Sequence, residues 1–166
     1  QSSMAVDAVV FEGHADLATR TKEVALEGSL TRLGDGKPTL SGGAAVAAFY
    51  KPWLSLLGAA NFSPGFLGAR QHYDTRAVAR LIYPEPLLGH LYVYAGAGVS
   101  VWFFESPPES DTYRRAFGVV GALGTFYQLG ERFRVRLEVR DHFLVVHGDE
   151  MRHNLFGTLS FVTLYR

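Results

Sequence analysis

From Phe133 to Val145 the chain alternates. Phe133, Val135, Leu137, Val139 and Phe143 fall on one side, and Arg134, Arg136, Glu138, Arg140 and His142 on the other. A period of two over this length marks a strand with one apolar face, since successive strand side chains point to opposite sides. Asp141 interrupts the apolar column near the far end. The same rhythm recurs in Leu91–Phe103, where Leu91, Val93, Ala95, Ala97, Val99, Val101 and Phe103 oppose Tyr92, Tyr94, Gly96, Gly98, Ser100 and Trp102. It recurs again in Leu155–Tyr165, in 115–129 through Phe117, Val119, Leu123 and Tyr127, and in 75–83, where Arg76 and Arg80 face away from Ala77, Ala79 and Leu81.

The first half is softer. Strands are predicted near 22–33, 38–50 and 53–62. Val24, Leu26 and Leu30 oppose Glu27, Ser29 and Thr31 in the first, while the second is so rich in Ala, Gly and Val that its facing is ambiguous. Gly34-Asp35-Gly36 is a tight-hairpin signal between the first two. The sum is an all-β, eight-stranded antiparallel up-and-down barrel over 22–166, with 1–21 left as a leader or periplasmic segment. Connectors at 50–52, 84–90 and 129–132 are short, and those at 63–72, 105–114 and 146–153 are longer and more polar. Short turns at one end and long loops at the other is the outer-membrane pattern.

A soluble lipocalin-like barrel would share the period but turn the charged face to water. Three features favour a membrane. The columns reach the roughly 9–11 residues that a tilted strand needs to cross a bilayer. Large aromatics sit at strand ends on the apolar side: Tyr50, Trp53, Tyr83, Tyr127, Phe133 and Tyr165 near the short turns, and Phe103, Phe117 and Phe143 near the long loops, as two girdles around an aliphatic band. The polar faces carry Glu27, Arg76, Arg80, Tyr92, Tyr94, Arg134, Arg136, Glu138 and Arg140, enough bulk to fill the narrow interior of an eight-stranded barrel. Gly96, Gly98, Gly118 and Gly124 on that side make room. Buried charges of this kind have to be paired.

Composition narrows the classes. Basic and acidic residues balance at 16 each, so no electrostatic case for nucleic acid exists. Cysteine is absent, which excludes disulfides and thiolate metal sites. No apolar run is long enough for a membrane helix. The chain opens on Gln1-Ser2-Ser3 without a signal core, as expected of a processed, exported protein.

Catalytic chemistry finds little footing. His142 adjoins Asp141, but neighbours on a strand face opposite ways. His147, Asp149, Glu150 and His153 cluster in the last long loop, with His72 and Asp74 expected nearby, yet the spacing matches no ligand motif and solvated loop polarity is the plainer reading. No cofactor and no metal is expected.

Residues 22–166 resemble the small OmpA/OmpX-like barrel superfamily. Phe133-Arg134-Val135-Arg136-Leu137-Glu138-Val139-Arg140-Asp141, with Ala95-Gly96-Ala97-Gly98-Val99 and His153-Asn154-Leu155, is similar more narrowly to the "outer membrane beta-barrel domain" proteins of myxobacteria and relatives. The final Leu159–Arg166 resembles the C-terminal insertion signal of such barrels, with Tyr165 penultimate. The resemblance implies location in a bacterial outer membrane, the lipid bilayer as surroundings and protein partners in the envelope, without one activity. The leading expectation is a non-enzymatic structural or interaction subunit. The alternatives are a small pore or uptake barrel with an arginine-lined lumen, and a rim enzyme acting on lipid A or peptide.

Overall fold

Alternating side chains leave each strand with one apolar and one polar face, and neither can be satisfied alone. Eight strands solve this by closing on themselves. The computed structural model describes residues 22–32, 38–65, 71–104, 114–146 and 150–165; the segment assigned to a leader, 1–21, lies outside them. In chain order the strands are β1 (Lys22–Arg32), β2 (Pro38–Lys51), β3 (Leu54–Ser63), β4 (His72–Ile82), β5 (Leu91–Phe104), β6 (Arg114–Gln128), β7 (Phe133–Val146) and β8 (Glu150–Tyr165). Each pairs antiparallel with its sequence neighbours, and β1 pairs with β8 from Lys22 opposite Tyr165 to Arg32 opposite Leu155. Closure removes the free edges that would otherwise carry unpaired backbone groups.

The facing is inverted relative to a water-soluble barrel. On β1, Glu23, Ala25, Glu27, Ser29 and Thr31 are buried inside, while Val24, Leu26 and Leu30 are exposed. The ambiguous β2 sends Thr39, Ser41, Ala45, Ala47 and Phe49 inward and Leu40 and Val46 outward, with a register shift between Phe49 and Lys51. Tyr50, Trp53, Tyr83, Tyr127, Phe133 and Tyr165 are exposed at the short-turn end, and Phe103, Phe117 and Phe143 lie on the outward face toward the other. Phe62 and Tyr73, stacked at 4.7 Å, stand among the latter, a pair the sequence reading passed over. An exterior of this kind, apolar in its middle and aromatic toward its ends, suits lipid and not water.

Two loop extents differ from expectation. β7 runs to Val146 and β8 begins at Glu150, so 146 and 150–153, expected in a loop, belong to strands, and β4 begins at His72 and not near 75. Strand ends that rise beyond the lipid band need no apolar face, so the alternation that reveals a strand is missing there.

Within the barrel the side chains stack in layers. Phe49, Ile82, Tyr94 and Phe126, with Tyr92 against them, close the short-turn end. Trp102, Ala116, Leu144 and Phe156, with Phe104, close the long-loop end. A flank of small residues, Ala25, Ala45 and Ala47 with Leu57 and Val162, leaves space on the β1–β3 side. Long side chains from the opposite wall occupy it.

Candidate functional site: the charged lumen

The period-two pattern puts every second residue of β1, β4, β5 and β7 into one enclosed space. β1 supplies Glu23 and Glu27, β4 supplies Arg76 and Arg80, β5 supplies Tyr92 and Tyr94, and β7 supplies Arg134, Arg136, Glu138 and Arg140. Arg76, Arg80, Arg136, Arg140, Glu27 and Glu138 are buried. Arg134 and Tyr92, nearest the short turns, are partly exposed.

The glutamates are shared, because arginines outnumber them. Glu27 accepts from Arg76 Nη2 at 2.6 Å through one oxygen and from Arg136 Nη2 at 2.7 Å through the other. Glu23 accepts from Arg80 Nη2 at 2.7 Å and from Arg134 Nη1 at 3.0 Å. Arg136 Nη1 also lies 3.6 Å from Glu23. Glu138 accepts from Arg140 Nη1 at 3.1 Å and from the Tyr94 hydroxyl at 2.6 Å. Gly124 makes the Tyr94 contact possible: a Cβ there would lie 2.4 Å from the tyrosine's hydroxyl oxygen. Guanidinium faces are covered as well, with Arg140 over Phe156 at 4.5 Å and Arg134 over Phe126 at 4.6 Å. Charge-assisted bonds between buried groups are strong but offset a large desolvation cost, so an interlocked set is required where isolated pairs would not suffice.

Above this layer stands a further group: His142, expected on this polar face, with His72, Asp74 and Asn61, which the sequence analysis missed or placed elsewhere. His72, Asp74, Asn61 and His142 are all buried in the lumen. Asn61 Nδ2 donates to Asp74 at 3.0 Å, and Trp102 Nε1 donates to His142 Nδ1 at 3.3 Å. The His72 ring stacks on Trp102 at 4.9 Å. Of the residues expected near His72 and Asp74, His153 is not beside them. His153 faces outward, so the barrel wall separates it from them, and it pairs with Asp141 at 2.9 Å. His147 and Asp149 lie outside the described residues, and Glu150 falls within β8. Glu23 was overlooked although it shares the parity of Glu27; so do Asp74 and His72 with Arg76. Among the described residues no group of three His, Cys, Asp or Glu is placed to hold a metal.

Closed eight-stranded topology, polar interior and apolar exterior meet in one group of solved structures. The N-terminal β-barrel domain of OprF from Pseudomonas aeruginosa superposes with a TM-score of 0.67 at 13% identity, covering 86% of this chain and 97% of that one. The fold is that of the small outer-membrane β-barrels. Neisserial surface protein A matches with a TM-score of 0.65 at 11% identity, over 86% of this chain and 95% of its own. OprG of Pseudomonas aeruginosa matches with a TM-score of 0.62 at 12% identity, over 92% and 99%. No family model matches the sequence, and no curated protein does. The barrel thus shares its architecture with these proteins across very different sequences.

Proposed function

We propose that the chain is an integral outer-membrane barrel that serves as a non-enzymatic structural or interaction subunit of a cell-envelope assembly, working through its wall and outer loops and not through its interior. The observation that carries this reading is the filled lumen. Aromatic layers close both ends, and between them the arginines are tied to shared glutamates at 2.6–3.1 Å. A channel needs a continuous polar path, and an eight-stranded barrel is just wide enough to be blocked by its own side chains. His142 and Asp74 are buried and bonded to Trp102 and Asn61, which supports a packing role for these groups.

The test has two parts. Extraction from native membranes in mild detergent should give a mass well above one barrel plus micelle, with defined chains co-purifying. Reconstitution in planar bilayers should give no discrete conductance steps. A lone barrel in the first measurement would remove the assembly role. Anion-selective steps lost on Arg136→Ala would establish the pore instead.

A further inference from the structure

The connection between β4 and β5 presents apolar surface beyond the lipid band. It runs Tyr83-Pro84-Glu85-Pro86-Leu87-Leu88-Gly89-His90. Glu85 and His90, both exposed, belong to the polar zone past the girdle residue Tyr83. Yet Leu88 is 75% exposed, more than any other large apolar side chain among the described residues, and Leu87 is 56% exposed. Leu129 of the neighbouring β6–β7 turn is 62% exposed, and the two turns are tied where the Gln128 N–H donates to the His90 carbonyl at 3.0 Å. Apolar side chains held together outside the lipid mark an interaction surface.

The connection is pre-ordered. The Leu87 N–H donates to the Leu91 carbonyl at 2.8 Å, and the Leu91 N–H donates to the Leu88 carbonyl at 3.0 Å. Gly89 takes a φ of 59°, which costs glycine no strain, and Pro84 and Pro86 remove backbone freedom. A surface ordered in advance loses little entropy on binding. Its side chains are also self-complementary in order. Glu85 and His90 lie at equal distance in sequence from the middle of Leu87-Leu88. The connection runs along the rim from β4 to β5, so two upright barrels facing each other about an axis along the bilayer normal present it in opposite directions. Leu87 of one copy then meets Leu88 of the other, and Glu85 meets His90, each contact occurring twice.

We propose that the β4–β5 connection is the contact of a homodimer in the membrane, with Leu87 and Leu88 of both copies packed together and Glu85 bonded to His90 across the two-fold axis. Apolar walls gain little by pairing within lipid, because the tails they leave are equally apolar. The drive comes from the leucines, which leave water. The wall above permits the approach: Ala77 and Ala79 of β4 and Ala95 and Ala97 of β5 all point outward, and small side chains let two surfaces come close. The inference rests on the interaction role proposed above and names a second copy of this chain as the partner. A heteromeric assembly that persists when the leucines are replaced would remove the dimer and leave that role standing.

Crosslinking reads the contact directly, because the chain has no cysteine of its own. Mild oxidation of Leu88→Cys in native outer membranes should give a dimer-sized band, and Lys51→Cys at the same end of the barrel should give none. A Leu88→Cys product with a chain of another mass would overturn the second copy as occupant. Sedimentation equilibrium of the full chain in mild detergent should show a reversible dimer. Leu87→Ser combined with Leu88→Ser should weaken it about tenfold or more. Glu85→Lys should weaken it as well, and adding His90→Glu should restore it by exchanging the two partners. Retention of the folded band on an unheated gel certifies each variant, and Gln at both leucine positions replaces a serine variant that lacks it. A monomer at every concentration, a dimer unmoved by the leucine variants, or a charge exchange that fails to restore it would overturn the interface.

Discussion

Glu27 illustrates how much a single buried side chain decides. Its two oxygens hold Arg76 and Arg136, both buried. Replacing it by Gln keeps the volume and removes the charge, leaving Arg76 with only Glu138 at 3.9 Å and Arg136 with only Glu23 at 3.6 Å. Breaking a buried pair in this way costs about 3–5 kcal/mol. Glu27→Gln should therefore shift the urea midpoint of the lipid-reconstituted barrel sharply downward, whereas Glu131→Gln in the exposed β6–β7 turn should leave it within error. An unchanged midpoint for Glu27→Gln would mean that water compensates the arginines. Gly124→Val should act by a different route, since its side chain would enter the space of Tyr94. Overpacking of this kind costs about 1–3 kcal/mol, and the Tyr94→Phe background, lacking the hydroxyl, should recover part of it.

At the level of strands, the wall behaves as lipid contact or it does not. Leu159 and Leu137 face each other across the β7–β8 pair, both outward. Leu159→Arg should cost about 2–4 kcal/mol in a bilayer, the depth-dependent penalty for arginine near the midplane. Leu88→Arg, in the exposed turn at the short-turn end, should cost far less, and equal costs would contradict the orientation of the band. Strands were legible wherever an apolar face alternated with one of different character, charged in β7 and of Tyr, Gly and Ser in β5. β2 was legible as a strand but not in its facing, because Ala44 to Ala48 places similar small residues on both faces, and only Thr39, Ser41 and Phe49 betray its inside. The starts of β4 and β8 were missed for a related reason: His72, Asp74 and Asn154 are polar residues turned inward near the outer mouth, and polarity without alternation reads as loop. Parity would have recovered them, since His72 and Asp74 continue the column of Arg76 and Arg80.

For the molecule as a whole, the two tryptophans report on opposite sides of the wall. Trp53 is about half exposed on the exterior, and Trp102 is fully buried in the lumen. In vesicles containing brominated lipids, the Trp102→Phe variant should lose most of its fluorescence, and the Trp53→Phe variant should keep it. Equal quenching would contradict the inside-out arrangement. The distribution of charge along the chain has a consequence of another kind. Glu23 and Glu27 sit on the first strand, whereas the arginines they neutralise sit on the fourth and seventh, with partners as far apart as 111 positions in sequence. Until β1 is in place, those cations lack these counter-ions. The strand that pairs with β8 to close the barrel is thus also the one that neutralises the lumen, so opening the seam would expose unpaired backbone and uncompensated charge together.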